Sequence, residues 1–229
     1  MYRFLLFLMF PFLFSFNFSP MSQSVDLGQN RKGAQFLIEN DTASNIAVEL
    51  TVKERQMDEN GVEKLLDTKA VTIFPPLIIV PPKEKRTIRV SYNEKDVIKK
   101  EQNFRVIAEQ LALNVDEKKK DKAGIKLLMK YVAALYATPP EAKSDLKLIS
   151  HKSDGKILTL VVENKGNKHQ LLTNPVISYL QNGKKGELKT DELKGFAGEN
   201  VLAGQKRVFK IKNAVDLQDK ARVELKVND

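Results

Sequence analysis

Along most of the chain, apolar residues recur at every second position, the period of a strand with one buried face. In NIAVELTV, Ile46, Val48, Leu50 and Val52 alternate with Ala47, Glu49 and Thr51. RTIRVSY repeats the pattern at Ile88, Val90 and Tyr92, and NFRVIAEQLAL sets Phe104, Val106 and Ala108 against Ile107, Glu109 and Leu111. Further on, KLIS and KILTLVVEN flank HKSDG, and PVISYL and GELKT flank QNGKK, whose Asn182-Gly183 pair suits a tight hairpin turn. RVFKI and ARVELKV predict two closing strands. No segment holds a helical period beyond a turn or two. Short strands separated by polar turns predict an all-β protein built from immunoglobulin-like β-sandwiches.

Six of the nine prolines stand in pairs: Pro75-Pro76, Pro81-Pro82 and Pro139-Pro140. Proline gives no donor to a ladder, so the first two pairs confine PPLIIVPP to an edge strand or a strap between sheets. The third pair precedes the polar stretch EAKSD and reads as a stiff linker. The expected domains are residues 25–141 and 142–229, after a leader over residues 1–24. An internal echo supports two related halves: FLIEN, starting at Phe36, and LVVEN, starting at Leu160, both end a strand in Glu-Asn before a polar turn.

The run GIKLLMKYVAALYATPP, Gly124 to Pro140, is unusually long for a strand. Ile125, Leu127, Met129, Tyr131, Ala133 and Leu135 share one face; Lys126, Leu128, Lys130, Val132, Ala134 and Tyr136 share the other. Both faces are largely apolar. Two readings follow: a central strand packed on both sides, or an edge strand whose side chains are kept for another protein.

Composition then narrows the chemistry. Seven of the twelve Phe fall within the first eighteen residues, in an apolar run behind Arg3. That arrangement suits an export leader, with cleavage expected after Ser24 or near Ser19 to Met21; an uncleaved anchor is the other reading. There is no Cys, which excludes disulfides, thiolate metal sites and a Cys nucleophile. His151 and His169 sit in Lys-rich polar contexts and read as surface turn residues, so no metal site is expected. No phosphate loop or Ser-His-Asp ordering is present, so the chain is not expected to be an enzyme or to need a cofactor. The formal net charge is +9, but basic and acidic residues are interspersed and aromatics are sparse, so nucleic acid is not an expected partner.

The ordered set FLIEN, ERQMDENGVEKL, IFPPLIIVPPKEKRTIRV, EQNFRVIAEQLAL and the long strand ending LYATPP resembles the periplasmic chaperones of chaperone–usher pilus assembly. The resemblance implies two immunoglobulin-like domains in an L or boomerang arrangement, residence in the periplasm, and pilus or fimbrial subunits and an outer-membrane usher as partners. It implies that the long strand is lent to a subunit lacking its own last strand, with Ile125, Leu127, Met129 and Tyr131 as donor side chains. Self-association through the same strand is a further implied contact. It also implies an interdomain bridge of Arg89, Glu101 and either Asp216 or Asp219.

One departure concerns the subunit's terminal carboxylate. The family holds it with a first-strand Arg and a Lys on the long strand. Here Ala134 stands at the Lys position, and the nearest basic candidates are Arg31 and Lys130. The alternative function, from a different class, is a secreted two-domain sandwich acting as a structural or adhesive surface protein.

Overall fold

The computed structural model describes residues 16–28, 33–94, 98–112, 127–212, 215–218 and 220–227, and among these every regular element is a strand. The first ten are β1 (Phe16–Ser19), β2 (Ser22–Asp26), β3 (Ala34–Asn40), β4 (Ile46–Met57), β5 (Glu63–Asp67), β6 (Val71–Phe74), β7 (Leu77–Val80), β8 (Lys85–Tyr92), β9 (Gln102–Leu111) and β10 (Lys130–Thr138). They form two sheets, ordered β1-β3-β8-β6 and β2-β10-β9-β4-β5, with β7 also paired to β4. Their alternate side chains meet in one core that includes Phe16, Phe36, Ile38, Leu50, Ile88, Phe104 and Leu135.

Proline marks two of the places where this part of the chain changes sheets. β1 and β2 lie in different sheets on either side of Pro20, and β6 and β7 on either side of Pro75-Pro76. The strap expected from PPLIIVPP is therefore present: β6 pairs with β8, and β7 crosses to pair with β4.

The remaining strands are β11 (Leu146–Ser153), β12 (Ile157–Asn164), β13 (Gln170–Leu171), β14 (Val176–Gln181), β15 (Lys184–Leu188), β16 (Asn200–Val201), β17 (Lys206–Lys212) and β18 (Arg222–Lys226). They pair as β11-β12-β17, β15-β14-β18 and β13-β16 around a second core that includes Leu158, Leu160, Ile177, Phe196 and Ile211. The Asn182-Gly183 turn joins β14 to β15, both residues having positive φ, 50° and 74°. Such dihedrals suit a two-residue hairpin and are why Asn and Gly stand there.

The two halves repeat a buried polar pin. Asn40, fully buried at the end of β3, donates its amide to the carbonyls of Ser44, Val80 and Pro81 and accepts the Thr42 N–H. Asn164, fully buried at the end of β12, donates to the carbonyls of Lys168 and Val201 and accepts the Gly166 N–H. Each Asn holds the turn that follows it against a distant strand. The Glu-Asn echo in the sequence thus reports a shared structural job.

The expected leader boundary at Ser24 falls within β2. Phe16 and Phe18 are core residues of the first domain, and Ser22 to Ser24 belong to β2.

Candidate functional site: an open strand edge and the domain junction

β10 has two different halves. From Ala134 to Thr138 it lies between β9 and the parallel strand β2. From Lys130 to Ala133 it pairs with β9 alone, so its other edge is open among the described residues. The pairing to β9 continues upstream, where the Gln110 N–H donates to the Met129 carbonyl (2.9 Å). Leu127 and Leu128 precede β10 with 70% and 46% exposure, and Val132 on the outer face has 39%. An edge with unpaired backbone groups beside exposed aliphatic side chains is a template for strand addition. Each sequence reading of this strand thus applies to one half: buried on both sides near Tyr136, open near Leu127.

The expected donor residues divide accordingly. Leu127 is free of the core, whereas Met129 is half-buried and packs against the first domain's own core. Tyr131 is tied down further. Its hydroxyl donates to the Phe16 carbonyl (2.6 Å), and its ring meets Phe16 edge-on at 4.9 Å. Ile125 lies outside the described residues.

The outer face of β10 leads into the junction between domains. Ala134 and Tyr136 are buried there with Met57 and, from the second domain, Leu202. The His169 ring stacks on Tyr136 at 3.7 Å, nearly parallel. Its Nδ1–H donates to Glu101 (2.7 Å), and the same carboxylate accepts the His169 backbone N–H and the Thr138 hydroxyl. Glu101 is 2% exposed, so these bonds replace water it has lost. His169 is a junction residue and not a surface turn residue, because the second domain's loop delivers it onto β10.

The bridge of Arg89, Glu101 and an aspartate is not assembled. Arg89 is exposed on β8, opposite Gln35 and Phe74. Asp216 accepts from the Ser153 hydroxyl inside the second domain (2.9 Å), and Asp219 lies outside the described residues. Of the described members of that bridge, only Glu101 reaches the junction, where it is bonded to His169. A second latch comes from the β4–β5 loop, where Asp58 accepts the N–H groups of Asn60 and Val62. The loop places the Glu59 carbonyl to accept the Val208 N–H (2.7 Å). Gly61, with φ 87°, sits so close to Arg207 that a Cβ there would clash with its guanidinium.

Basic groups on the outer face are arranged differently from expectation. Lys130 is paired to Glu109 across the ladder (2.7 Å), and Arg31 lies outside the described residues. The guanidinium in the row of Ala134 belongs to Arg105, directly opposite it on β9. Arg105 and Arg55 converge on Glu63, at 2.5 and 2.6 Å. Partial burial pushes the Glu63 carboxyl up, but the hydrogen bonds and charges of the two arginines outweigh it and hold it below the usual carboxylate range. Burial raises Tyr136 above the usual phenol range, against the opposing pull of Arg55 and Arg105. Beside this cluster is a cleft of about 600 Å³ reaching from Arg55 to Gln205 of the second domain. Three buried atoms of its lining residues, Arg55 Nε, Asn103 Oδ1 and Gln205 Oε1, have no hydrogen-bond partner among the described residues.

Comparison with known proteins connects this two-sandwich architecture with pilus-assembly chaperones. The family described as "Pili and flagellar-assembly chaperone, PapD N-terminal domain" matches residues 18–143. The chain belongs to that family. No curated protein sequence matches it. Among solved structures, it is similar to that of the CsuC–CsuE chaperone–tip adhesion subunit pre-assembly complex from the archaic chaperone–usher Csu pili of Acinetobacter baumannii (17% identity, TM-score 0.65, covering 92% of this chain and 97% of that one). It is also similar to the class 5 fimbriae chaperone CfaA (15% identity, TM-score 0.61, 93% and 100% covered). A third similar structure is that of the Salmonella enterica SafA pilin in complex with the SafB chaperone (17% identity, TM-score 0.58, 88% and 86% covered). At these identities the likeness is one of fold.

Proposed function

We propose that this protein is exported to the periplasm, binds pilus or fimbrial subunits by lending them the Leu127–Ala133 edge, and delivers them to an outer-membrane usher. The observation that carries the reading is the half-open β10, with a ladder on one side, no described strand on the other, and Leu127 exposed at its start. A subunit strand entering there gains main-chain hydrogen bonds and buries apolar side chains of the donor segment. Each fully buried aliphatic side chain contributes roughly 1.5–3 kcal/mol. Leu127, Met129 and Ile125 are the proposed donors. Tyr131 acts as the strut holding the donor segment to the domain.

The subunit's terminal carboxylate is proposed to meet Arg105 and Arg55, not Lys130. Glu63 already occupies these guanidiniums as an internal carboxylate, and a subunit carboxylate would take its place.

The test is co-expression of a candidate subunit with the wild type, Leu127→Glu, or Lys130→Ala. The wild type and Lys130→Ala are expected to protect the subunit from proteolysis, and Leu127→Glu to lose that protection. Protection by Leu127→Glu equal to wild type contradicts the donor assignment.

A further inference from the structure

The second sandwich has an edge that nothing described covers. β18 pairs with β14 from Val176↔Lys226 to Leu180↔Arg222, and its other edge is open among the described residues. Beside that edge a cleft of about 410 Å³ runs between β18 and Lys147 and Leu148 of β11. Val223, Leu225 and Val227 pack against the second core, yet all three are only half-buried, as is Leu148. A further strand beside β18 would bury them more completely. Arg222, Glu224 and Lys226, on the opposite face of β18, are exposed.

Sheet edges are commonly blunted by bulges or charge. β11 has a register shift between Leu148 and Ser150, whereas the β18–β14 pairing is unbroken. The charges on β18 instead select a partner. When β18 pairs antiparallel with a second β18, a centre between residues sets inward side chains against outward ones. Centring on Arg222, Glu224 or Lys226 opposes that charge to its own copy, and centring on Val223 opposes Lys220 to Lys226. Centring on Leu225 removes both conflicts. Glu224 then faces Lys226 of the second copy, twice by symmetry, while Val223 faces Val227 and Leu225 faces Leu225 over the cleft. Opposite charges directly across a ladder stabilise it, and like charges destabilise it. Lys226 makes no ion pair among the described residues, and Glu224 has only the exposed Arg222 two residues away (3.2 Å).

We infer that two copies of this chain associate through β18, antiparallel and centred on Leu225, so that β15-β14-β18 of each copy joins one continuous sheet. This contact is separate from the open edge of β10 and does not depend on subunit binding.

The experiment is sedimentation equilibrium of the purified protein over a dilution series. The average mass is expected to rise with concentration from one chain towards two. Glu224→Lys and Lys226→Glu, each at an exposed position, oppose like charges at both symmetric sites and are each expected to weaken the dimer about tenfold. The double variant restores opposite charges and is expected to dimerise like wild type, as is Leu127→Glu, which alters only the β10 edge. A monomer at every concentration, a dimer unmoved by either single charge change, or a double variant as weak as the singles overturns the proposal. Loss of the dimer in Leu127→Glu moves the contact to β10 and also overturns it. If the wild type is monomeric and Glu224→Lys no longer co-purifies with a pilus subunit, the β18 edge serves the subunit and not a second copy.

Discussion

The Tyr131 hydroxyl donates to the Phe16 carbonyl oxygen across 2.6 Å, joining the start of β10 to β1. The two residues are far apart in sequence and belong to different sheets. The contact ties the start of β10 to the first core: Leu127 and Leu128 upstream are exposed, whereas Ala133, Leu135 and Ala137 downstream belong to the core. Tyr131→Phe removes only the hydrogen bond and is expected to cost about 0.5–1.5 kcal/mol. Tyr131→Ala also removes the ring contacts with Phe16 and Phe18 and is expected to cost about 3 kcal/mol. Urea unfolding of both variants checks this, with Tyr131→Phe retaining subunit protection in co-expression.

At the junction, Glu101 and Arg89 are predicted to behave differently. Glu101→Ala leaves the Thr138 hydroxyl and both His169 donors without their acceptor and is expected to destabilise by about 2–4 kcal/mol. Arg89→Ala, on the exposed face of β8, is expected to stay within about 0.5 kcal/mol of wild type. Equal losses from the two variants would restore the Arg89–Glu101 bridge that the resemblance implied.

Acid should loosen the arginine cluster. The folded-state pKa of Glu63 is depressed, so its contribution is fully present above its unfolded value, about 4.3, and is lost as pH falls through the folded value. Glu63→Gln removes this dependence. Urea midpoints measured from about pH 3 to 7 should show a shallower acid decline in Glu63→Gln than in wild type. Identical acid limbs would place the titrating group elsewhere.

Asn40 and Asn164 make matching predictions for the two domains. Each Asn→Ala change strands buried backbone carbonyls that the amide satisfied, an expected loss of about 2–4 kcal/mol confined to its own sandwich. Calorimetry, or hydrogen exchange resolved by domain, distinguishes the two losses.

Much of this architecture was readable from the sequence because period-two burial is a local property. The alternation in RTIRV already turned Arg89 outward between buried Ile88 and Val90, and only the family resemblance drew it toward the junction. The Glu-Asn echo correctly marked equivalent turns. His169 was not readable, because its Lys-rich neighbours resemble any solvated turn, and its burial depends on another domain's strand. Arg55, Glu63 and Arg105 were hidden for a related reason. Three ordinary charged strand residues become a cluster only when β4, β5 and β9 align. Nothing local in the sequence says that Phe16 and Phe18 are core, because they continue the Phe-rich run that precedes them.

The central claim is that a subunit strand adds to the open edge of β10. Amide hydrogen exchange across Leu127–Ala133, with and without a bound pilus subunit, tests it most directly. Lending this strand predicts strong new protection of the amides facing the open edge, with little change across β14 and β15. A bound complex in which Leu127–Ala133 exchanges as fast as in the free protein would contradict it.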